Sequence, residues 1–493
     1  MSRSEDSGSG ASDRTGPVRV ELHIGSTVVA RLDDRFLSVG LDLGQVAGTK
    51  FWDPEGGGPD DGAATGGSAR MEPYDFGRPA LVRMLQGFGP GYLRLGGTES
   101  DQLAYEAAGA DPAGGRAVLT DAQWDAAMRL ARDTGYRVLF TANATHRRSD
   151  GSWDPEPTRA LITRAVANGD PIAGWSLGNE PNYFAFNYGG PAPEQLAADY
   201  RVFADLVREL HPGALVLGPA AAYWPTVGEM VPVMEAVLAG AGDVLDVVTW
   251  HYYPQQSERC PVTVRPATAA QALTDEFLDE VETHQATVRT LRDRHAPQAA
   301  IWLQETGNAQ CGGQPGLSDT VRASFWWVHE LGRVARLGSE AVVRWNLSGA
   351  DYALLREPDL EPNPDWWIDV LWRRLVGSEV LDVNVSRADG GSPALLDVFA
   401  HRAPAPGTGI TVVAANRSEH PFVVGFGDTD PSGGRCWRLD ADDLSSQELR
   451  LDGTPLRLGT DGALPDLSGT PLTGPTVVLD PLTIAFVVLP ATG

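Results

Sequence analysis

The sequence predicts a (β/α)8 barrel followed by an all-β sandwich, and three observations predict it. Between residues 36 and 375, eight short apolar runs alternate with segments whose apolar residues recur at helical spacing. After residue 376 the helical period stops, and strand-like runs separated by Gly, Pro, Asp and Ser clusters take over. Near the start, VRVELHI alternates Val18, Val20, Leu22 and Ile24 with polar neighbours, a half-buried strand with no sheet of its own close by.

In chain order, residues 1–16 (MSRSEDSGSGASDRTG) are rich in Ser, Gly and Asp and hold no apolar core, so they read as a disordered tail, neither leader nor anchor. Residues 17–35 carry the early strand, which is assigned to the sandwich: the chain starts there, makes the barrel and returns. Residues 36–375 form the catalytic barrel, with strands in FLSVGLDL, GYLRLGG, RVLFTAN, IAGWSLGNE, LVLGPAA, DVVTWHYY, AIWLQETG and AVVRWNLSG. Between them lie stretches such as 193–210, where Leu196, Tyr200, Phe203, Val207 and Leu210 mark one face of a helix. Residues 376–493 form the sandwich, with strands in LLDVFAH, ITVVAAN, PFVVGF, GPTVVLD and TIAFVVL.

Charge and composition narrow the function classes. The chain has 493 residues, 42% of them hydrophobic, enough for a large core and at least two domains. Its 39 Lys and Arg against 65 Asp and Glu give a net charge of -26, which repels nucleic acid and anionic membrane surfaces. No apolar run reaches the roughly 18 residues of a membrane-spanning helix. With no leader visible, the working compartment is either the cytoplasm or one reached by a leader already removed. Three cysteines, Cys260, Cys311 and Cys436, allow at most one bridge and lack zinc-site spacing.

Catalytic groups of a (β/α)8 barrel sit at the C-terminal ends of its strands, so the polar residues closing each run are the candidates. They are Asp42, Arg94, Asn143, Asn179 with Glu180, His251 with Tyr252 and Tyr253, and Glu305. Two are carboxylic acids, Glu180 after the fourth strand and Glu305 on the seventh, on opposite sides of one mouth. Glycoside hydrolysis needs such a pair, one acid protonating the leaving oxygen and the other attacking the anomeric carbon or activating water. Arg94 points into the barrel, where an unpaired charge is expensive, so it must meet a carboxylate, as a structural bridge or as a holder of Glu305. His251 is either a donor to the nucleophile or sugar, or a satisfied core histidine. The charge of a neighbouring acid is expected to raise Glu180 toward neutrality, so that it starts protonated. Neither cofactor nor metal is called for.

The motifs WSLGNEPN, TWHYY, IWLQETGNAQCGGQPGLSD, YALLREPDLEPNPDWW and WRRLVGSEVL, with FLSVGLDL, GYLRLGGTESD and the last two strands, resemble the heparanase-like glycoside hydrolase family 79 over nearly the whole chain after residue 17. The resemblance implies a clan A retaining enzyme that cleaves β-linked glucuronic acid, its partner a glucuronic-acid-containing glycan or glucuronide. Glu180 then resembles the general acid/base, Glu305 the nucleophile and Asn179 the ligand of the sugar 2-hydroxyl. Asp42 and Thr98 match positions that contact sugar hydroxyls. Backbone N–H groups of Gly312 and Gly313, with Tyr352, match the uronate carboxylate site, while Gln310 and Cys311 stand where the heparanase pattern has a tyrosine and a glycine. The lysine-rich segments that grip sulfated chains are replaced by WPTVGEMVPVMEAVLAGAGD, which has acids and no lysine. Cys260 and Cys311, on neighbouring loops of the mouth, are expected to form a bridge bracing the site. Two other readings are a catalytically silent glycan-binding protein on the same scaffold and a clan A glycosidase for another sugar such as xylose.

Overall fold

The structure is a computed structural model that describes residues 16–52, 68–115, 117–387, 393–404 and 409–491. The tail assigned to residues 1–16 lies almost wholly outside the described residues.

All eight predicted runs become parallel strands of one closed barrel: Leu37–Asp42, Tyr92–Gly96, Arg137–Ala142, Ile172–Leu177, Leu215–Tyr223, Val247–Tyr252, Ala300–Thr306 and Ala341–Arg344. The eighth strand closes on the first through Val342↔Leu37 and Arg344↔Val39. Each strand is followed by a helix, and the fourth helix, Pro193–Leu210, buries Leu196, Tyr200, Phe203 and Val207 as its spacing requires. The helix Asp121–Thr134 shows how sequence sets such boundaries. Thr120 and Gln123 form a reciprocal capping box at its start, and Gly135 ends it in a left-handed turn.

The barrel interior changes character along its axis. At the N-terminal end Tyr92, Leu139, Ala173, Leu217, Val247, Trp302 and Val343 form an apolar plug, with Tyr92 and Trp302 stacked at 5.0 Å. Toward the C-terminal end inward positions turn polar: Arg94, Thr141, Ser176, Thr249, His251 and Glu305 are buried there. Strand alternation sends the intervening residues outward, so Trp175 meets Trp124 and Phe140 under the helices while Ser176 bonds Thr141 inside. The closed end is thus packed, and polar chemistry is confined to the mouth.

Residues Val18–Arg31 pair antiparallel with Glu379–Arg387 and parallel with Phe422–Gly425, so the first strand joins the C-terminal β domain as expected. That domain is a continuous eleven-stranded sheet folded over its own core, which includes Val20, Leu22, Val383, Val398, Val412, Phe422, Val477 and Val487. Five of its strands are absent from the sequence reading: Glu379–Arg387, Arg435–Asp440 and the two-residue Arg450–Leu451, Thr454–Pro455 and Thr470–Pro471. In the second, Arg435, Arg438 and Asp440 interrupt the apolar signal while Cys436, Trp437 and Leu439 are buried.

Barrel and β domain meet through a buried ionic cluster. His329, on the helix Val321–Arg336, is fully buried, with Nδ1 3.0 Å from Asp397 of the β domain and Nε2 3.4 Å from Asp279. Arg417 joins Asp397 to Asp275, at 2.7 Å from each. Burial pushes the His329 imidazole down, but Asp397 and Asp279 outweigh it and the net shift is upward. A raised histidine contributes stability that is complete below its unfolded pKa of about 6.5 and is lost as pH rises through the higher folded value. His329→Gln is therefore expected to cost about 3 kcal/mol near pH 6, the scale of a broken buried pair, and less as pH rises. Thermal unfolding of both proteins over a rising pH series reads the difference, and a loss that does not shrink with pH contradicts the charged bridge.

Candidate active site

Three strand ends and their loops assemble the candidate group. After the fourth strand the backbone at Glu180 takes φ 48° and ψ 57°, left-handed for a non-glycine residue, and Pro181 opens a 3-10 turn immediately behind it. Such a conformation is costly and persists where the surroundings hold it. Here Glu180 N–H donates to Ala220 O at 3.1 Å and Tyr183 N–H donates to Glu180 O at 2.9 Å. The turn throws the carboxyl back over the barrel axis, toward Glu305 and His251.

Glu180, His251 and Glu305 each offer an atom within 4.8 Å of the others'. Arg94, with no exposed surface, donates to Glu305 Oε2 at 2.5 Å and to Asn179 Oδ1 at 2.6 Å, and its guanidinium lies 4.9 Å from the Trp345 ring centre. Tyr253 donates its hydroxyl to Glu305 Oε1 at 2.8 Å. Both oxygens of Glu305 are therefore met by donors, which fixes the carboxylate. Because Arg94 occupies Asn179 Oδ1, the amide NH2 of Asn179 is left as the donor.

Glu180 is raised to about 7 by burial, an effect that Arg94 opposes. This corrects the sequence expectation: desolvation, not the charge of a neighbouring acid, moves this carboxyl toward neutrality. His251 is also buried, and burial lowers it to about 3. The imidazole is thus neutral, and its Nδ1 faces Glu180 Oε1 at 3.1 Å and Glu305 Oε2 at 3.6 Å. The Glu180–His251–Glu305 trio has donor types that suit a metal, but the guanidinium of Arg94 puts a fixed positive charge beside Glu305 and disfavours a cation there.

A pocket of about 70 Å³ opens over these groups, lined by Asp42, Trp52, Gly97, Thr98, Glu180, Tyr253, Glu305, Gln310, Cys311, Trp345 and Tyr352. Asp42 caps the short helix Leu43–Ala47 through the Gly44 N–H at 2.7 Å, and burial raises its carboxyl well above the usual range. Gly97 has φ 90°, and a Cβ there would fall 1.8 Å from Asp42 Oδ2, so only glycine lets the second strand end this close. Cys311, Gly312 and Gly313 follow one another with φ of 64°, 83° and 87°, a left-handed turn beside Tyr352. Cys311 is bonded to Cys260, with Cα atoms 5.5 Å apart, so the bridge joins the loops after the sixth and seventh strands as expected.

Two sequence candidates face elsewhere. Tyr252 points out of the barrel, where its hydroxyl donates to Glu280 and its ring packs against His284, because adjacent strand residues alternate faces and His251 and Tyr253 take the inner one. Asn143 spends its side chain on the backbone: Nδ2 donates to Leu103 O, and Oδ1 accepts from the Thr145 N–H. It shapes the third loop and contributes nothing to the pocket lining.

Asp101 escaped the sequence reading, although it lies in the noted stretch GYLRLGGTESD. Its two carboxyl oxygens accept from Ala144 N–H and Asn179 N–H, both at 2.8 Å, tying the ends of the third and fourth strands together. Burial raises it to about 7, against the two backbone donors. Asp101→Ala leaves those donors unsatisfied and frees the Asn179–Glu180 segment, and a misplacement of about 1 Å can cost about 10²-fold in rate. The expected result is a loss of that order in kcat with the pH profile retained; an unchanged kcat contradicts the positioning role.

The site can now be set beside known proteins. The profile of the family "Glycosyl hydrolase family 79, N-terminal domain" matches residues 19–332. Heparanase from Bos taurus is 31% identical over 383 residues, covering 73% of this chain and 66% of the relative. Inactive heparanase-2 from Mus musculus is 26% identical over 405 residues, covering 76% of this chain and 64% of the relative. The chain thus spans about two thirds of the length of these relatives. Among solved structures, a 4-O-alpha-L-rhamnosyl-beta-D-glucuronidase from Fusarium oxysporum 12S superposes with a TM-score of 0.67 at 17% identity, covering 96% of this chain and all of that one. At that identity the likeness speaks for the fold.

Proposed function

The chain belongs to glycosyl hydrolase family 79, and on that footing we propose that it is a retaining β-glucuronidase. The observation that carries this reading is the close approach of Glu180 and Glu305, whose oxygens come within 4.8 Å. Retaining enzymes hold their carboxyl groups about 5–5.5 Å apart, whereas inverting enzymes need about 6.5–9.5 Å to admit a water. The sugar is assigned on the residues that resemble the family's uronate site, the 311–313 turn and Tyr352.

In this reading Glu305, oriented by Arg94 and Tyr253, attacks the anomeric carbon while protonated Glu180 gives its proton to the leaving oxygen. The alcohol departs and a glycosyl ester to Glu305 remains. Glu180, now ionised and accepting from His251 Nδ1–H, takes a proton from water, which attacks the ester carbon and releases the sugar with its configuration kept. Neutral His251 adds a hydrogen bond without adding charge, so it does not lower Glu180 as an imidazolium would. Asn179 NH2 serves the 2-hydroxyl, an interaction that strengthens as oxocarbenium character develops. Asp42 and Thr98 serve other hydroxyls. The substrate carboxylate is assigned to the N–H groups of the 311–313 turn and the Tyr352 hydroxyl, which need no net positive charge.

Hydrolysis of a chromogenic β-glucuronide, compared with the β-glucoside and β-xyloside, tests the assignment, with Glu180→Gln and Glu305→Gln as controls. The expected outcome is a clear preference for the glucuronide that Glu305→Gln removes, while Glu180→Gln slows turnover through the missing base for release of the glycosyl ester. Preference for xyloside or glucoside overturns the sugar; binding without turnover of any of the three overturns the enzyme.

A further inference from the structure

The pocket over the paired acids offers Asp42, Thr98, Tyr352 and Cys311 beside the rings of Trp52 and Trp345. On the Glu180 side the chain turns aromatic at once: Tyr183, three residues on, packs on Trp224 of the next loop with ring centres 5.8 Å apart. Burial raises the Tyr183 hydroxyl, and the charge of Glu180 adds to the shift.

Outward from this pair the loops after the fourth, fifth and sixth strands are tied to one another by hydrogen bonds. Asn182 pins the turn behind Glu180 to the loop after the fifth strand, accepting from Ala222 N–H and donating to Glu229 and Val231 O. That loop rests on Glu280 through the Thr226 N–H, and Glu280 in turn holds Tyr252 and Arg265 of the loop after the sixth strand. On this joined rim Phe186 is 67% exposed, Val227 51%, Met230 44% and Val262 57%; among the described residues the other large exposed apolar side chains, apart from neighbouring Val264, are scattered over outer helices and the β domain. The rim's cations are already engaged, Arg259 with Asp351 and Arg265 with Glu280. Glu229 is held by Asn182 and the Met234 N–H.

We propose that this rim, from Tyr183 and Trp224 out to Phe186, Val227, Met230 and Val262, is a leaving-group subsite for an uncharged apolar alcohol, alkyl or aryl, rather than for a sulfated sugar chain. The inference rests on Glu180 being the proton donor, because the donor must stand beside the bond to the departing group and so fixes which rim that group crosses. A sulfated chain would need free cations here, and the rim's arginines are paired within the protein. An apolar group covers the exposed side chains at no such cost.

The test is a series of alkyl β-glucuronides from methyl to octyl, whose leaving groups are chemically alike, so that chain length alone varies. The octyl compound is expected to exceed the methyl one in kcat/KM by at least about tenfold, the effect of burying roughly two methylenes. Phe186→Ser combined with Met230→Ser should bring that ratio toward one, whereas Val478→Ser, an equally exposed change on the β domain, should leave it unchanged. The same octyl-to-methyl ratio in calorimetric binding to Glu180→Gln gives a reading that needs no turnover. Running alkyl glucosides and xylosides in parallel separates the claims: a chain-length preference on another sugar overturns glucuronate recognition and keeps the subsite. A flat series with every sugar, or a ratio that survives the double substitution, overturns the subsite. A flat series with concentration-dependent dimerisation in sedimentation does so too, assigning the rim to a second copy of the chain.

Discussion

Glu305→Gln is expected to lower kcat for a β-glucuronide by about 10⁴- to 10⁶-fold, the scale on which removing a covalent nucleophile acts. The amide keeps the shape of the carboxylate but cannot form the glycosyl ester. The substitution also strips Arg94 of its anionic partner, and Arg94 has no exposed surface through which water could replace it. An uncompensated buried charge costs about 3–5 kcal/mol, so a fall in melting temperature should accompany the loss of activity. Kinetics and thermal unfolding on the same preparation separate the two effects. A folded Glu305→Gln protein that retains more than about a hundredth of wild-type kcat contradicts the nucleophile assignment.

Glu180→Gln should cost less, about 10²- to 10⁴-fold, and the loss should depend on the leaving group. An alkyl alcohol needs the proton and should show the full effect, whereas a nitrophenolate departs without help and should show little loss in the glycosylation step. The pH profile carries a second signature. Burial raises Glu180 to about 7, so the acid form is present below that pH and is lost above it. Wild-type kcat/KM should therefore fall on the alkaline side of about 7, and that limb should vanish in Glu180→Gln, which has no proton to lose. An alkaline limb that persists unchanged assigns the titration to another group; Asp101, raised to a similar value, would be the next to test.

The two acids proposed as the catalytic pair were legible in the sequence because barrel geometry converts position along the chain into position in space. Each apolar run ends at the same face, so Glu180 and Glu305 fall together although one follows the fourth strand and the other ends the seventh. The period-two rule applied one step further would have separated His251 and Tyr253, which face inward, from Tyr252, which faces Glu280. Asp101 was illegible for a different reason. Its acceptors serve N–H groups 43 and 78 residues away, and only the folded loops bring those together. Trp345, which lies under Arg94 and lines the pocket, is illegible because an apolar ring at a strand end carries no polar signal to set it apart from core. The cause of the Glu180 shift also lay beyond sequence, since desolvation depends on everything packed around the carboxyl.

The stereochemistry of the first-formed sugar tests the central claim most directly. Proton NMR recorded during early hydrolysis of a β-glucuronide, before mutarotation, distinguishes the two anomers of the released acid. With Glu305 as nucleophile and Glu180 as acid/base, the β-anomer must appear first. First appearance of the α-anomer would mean direct attack by water and would contradict the two-step mechanism.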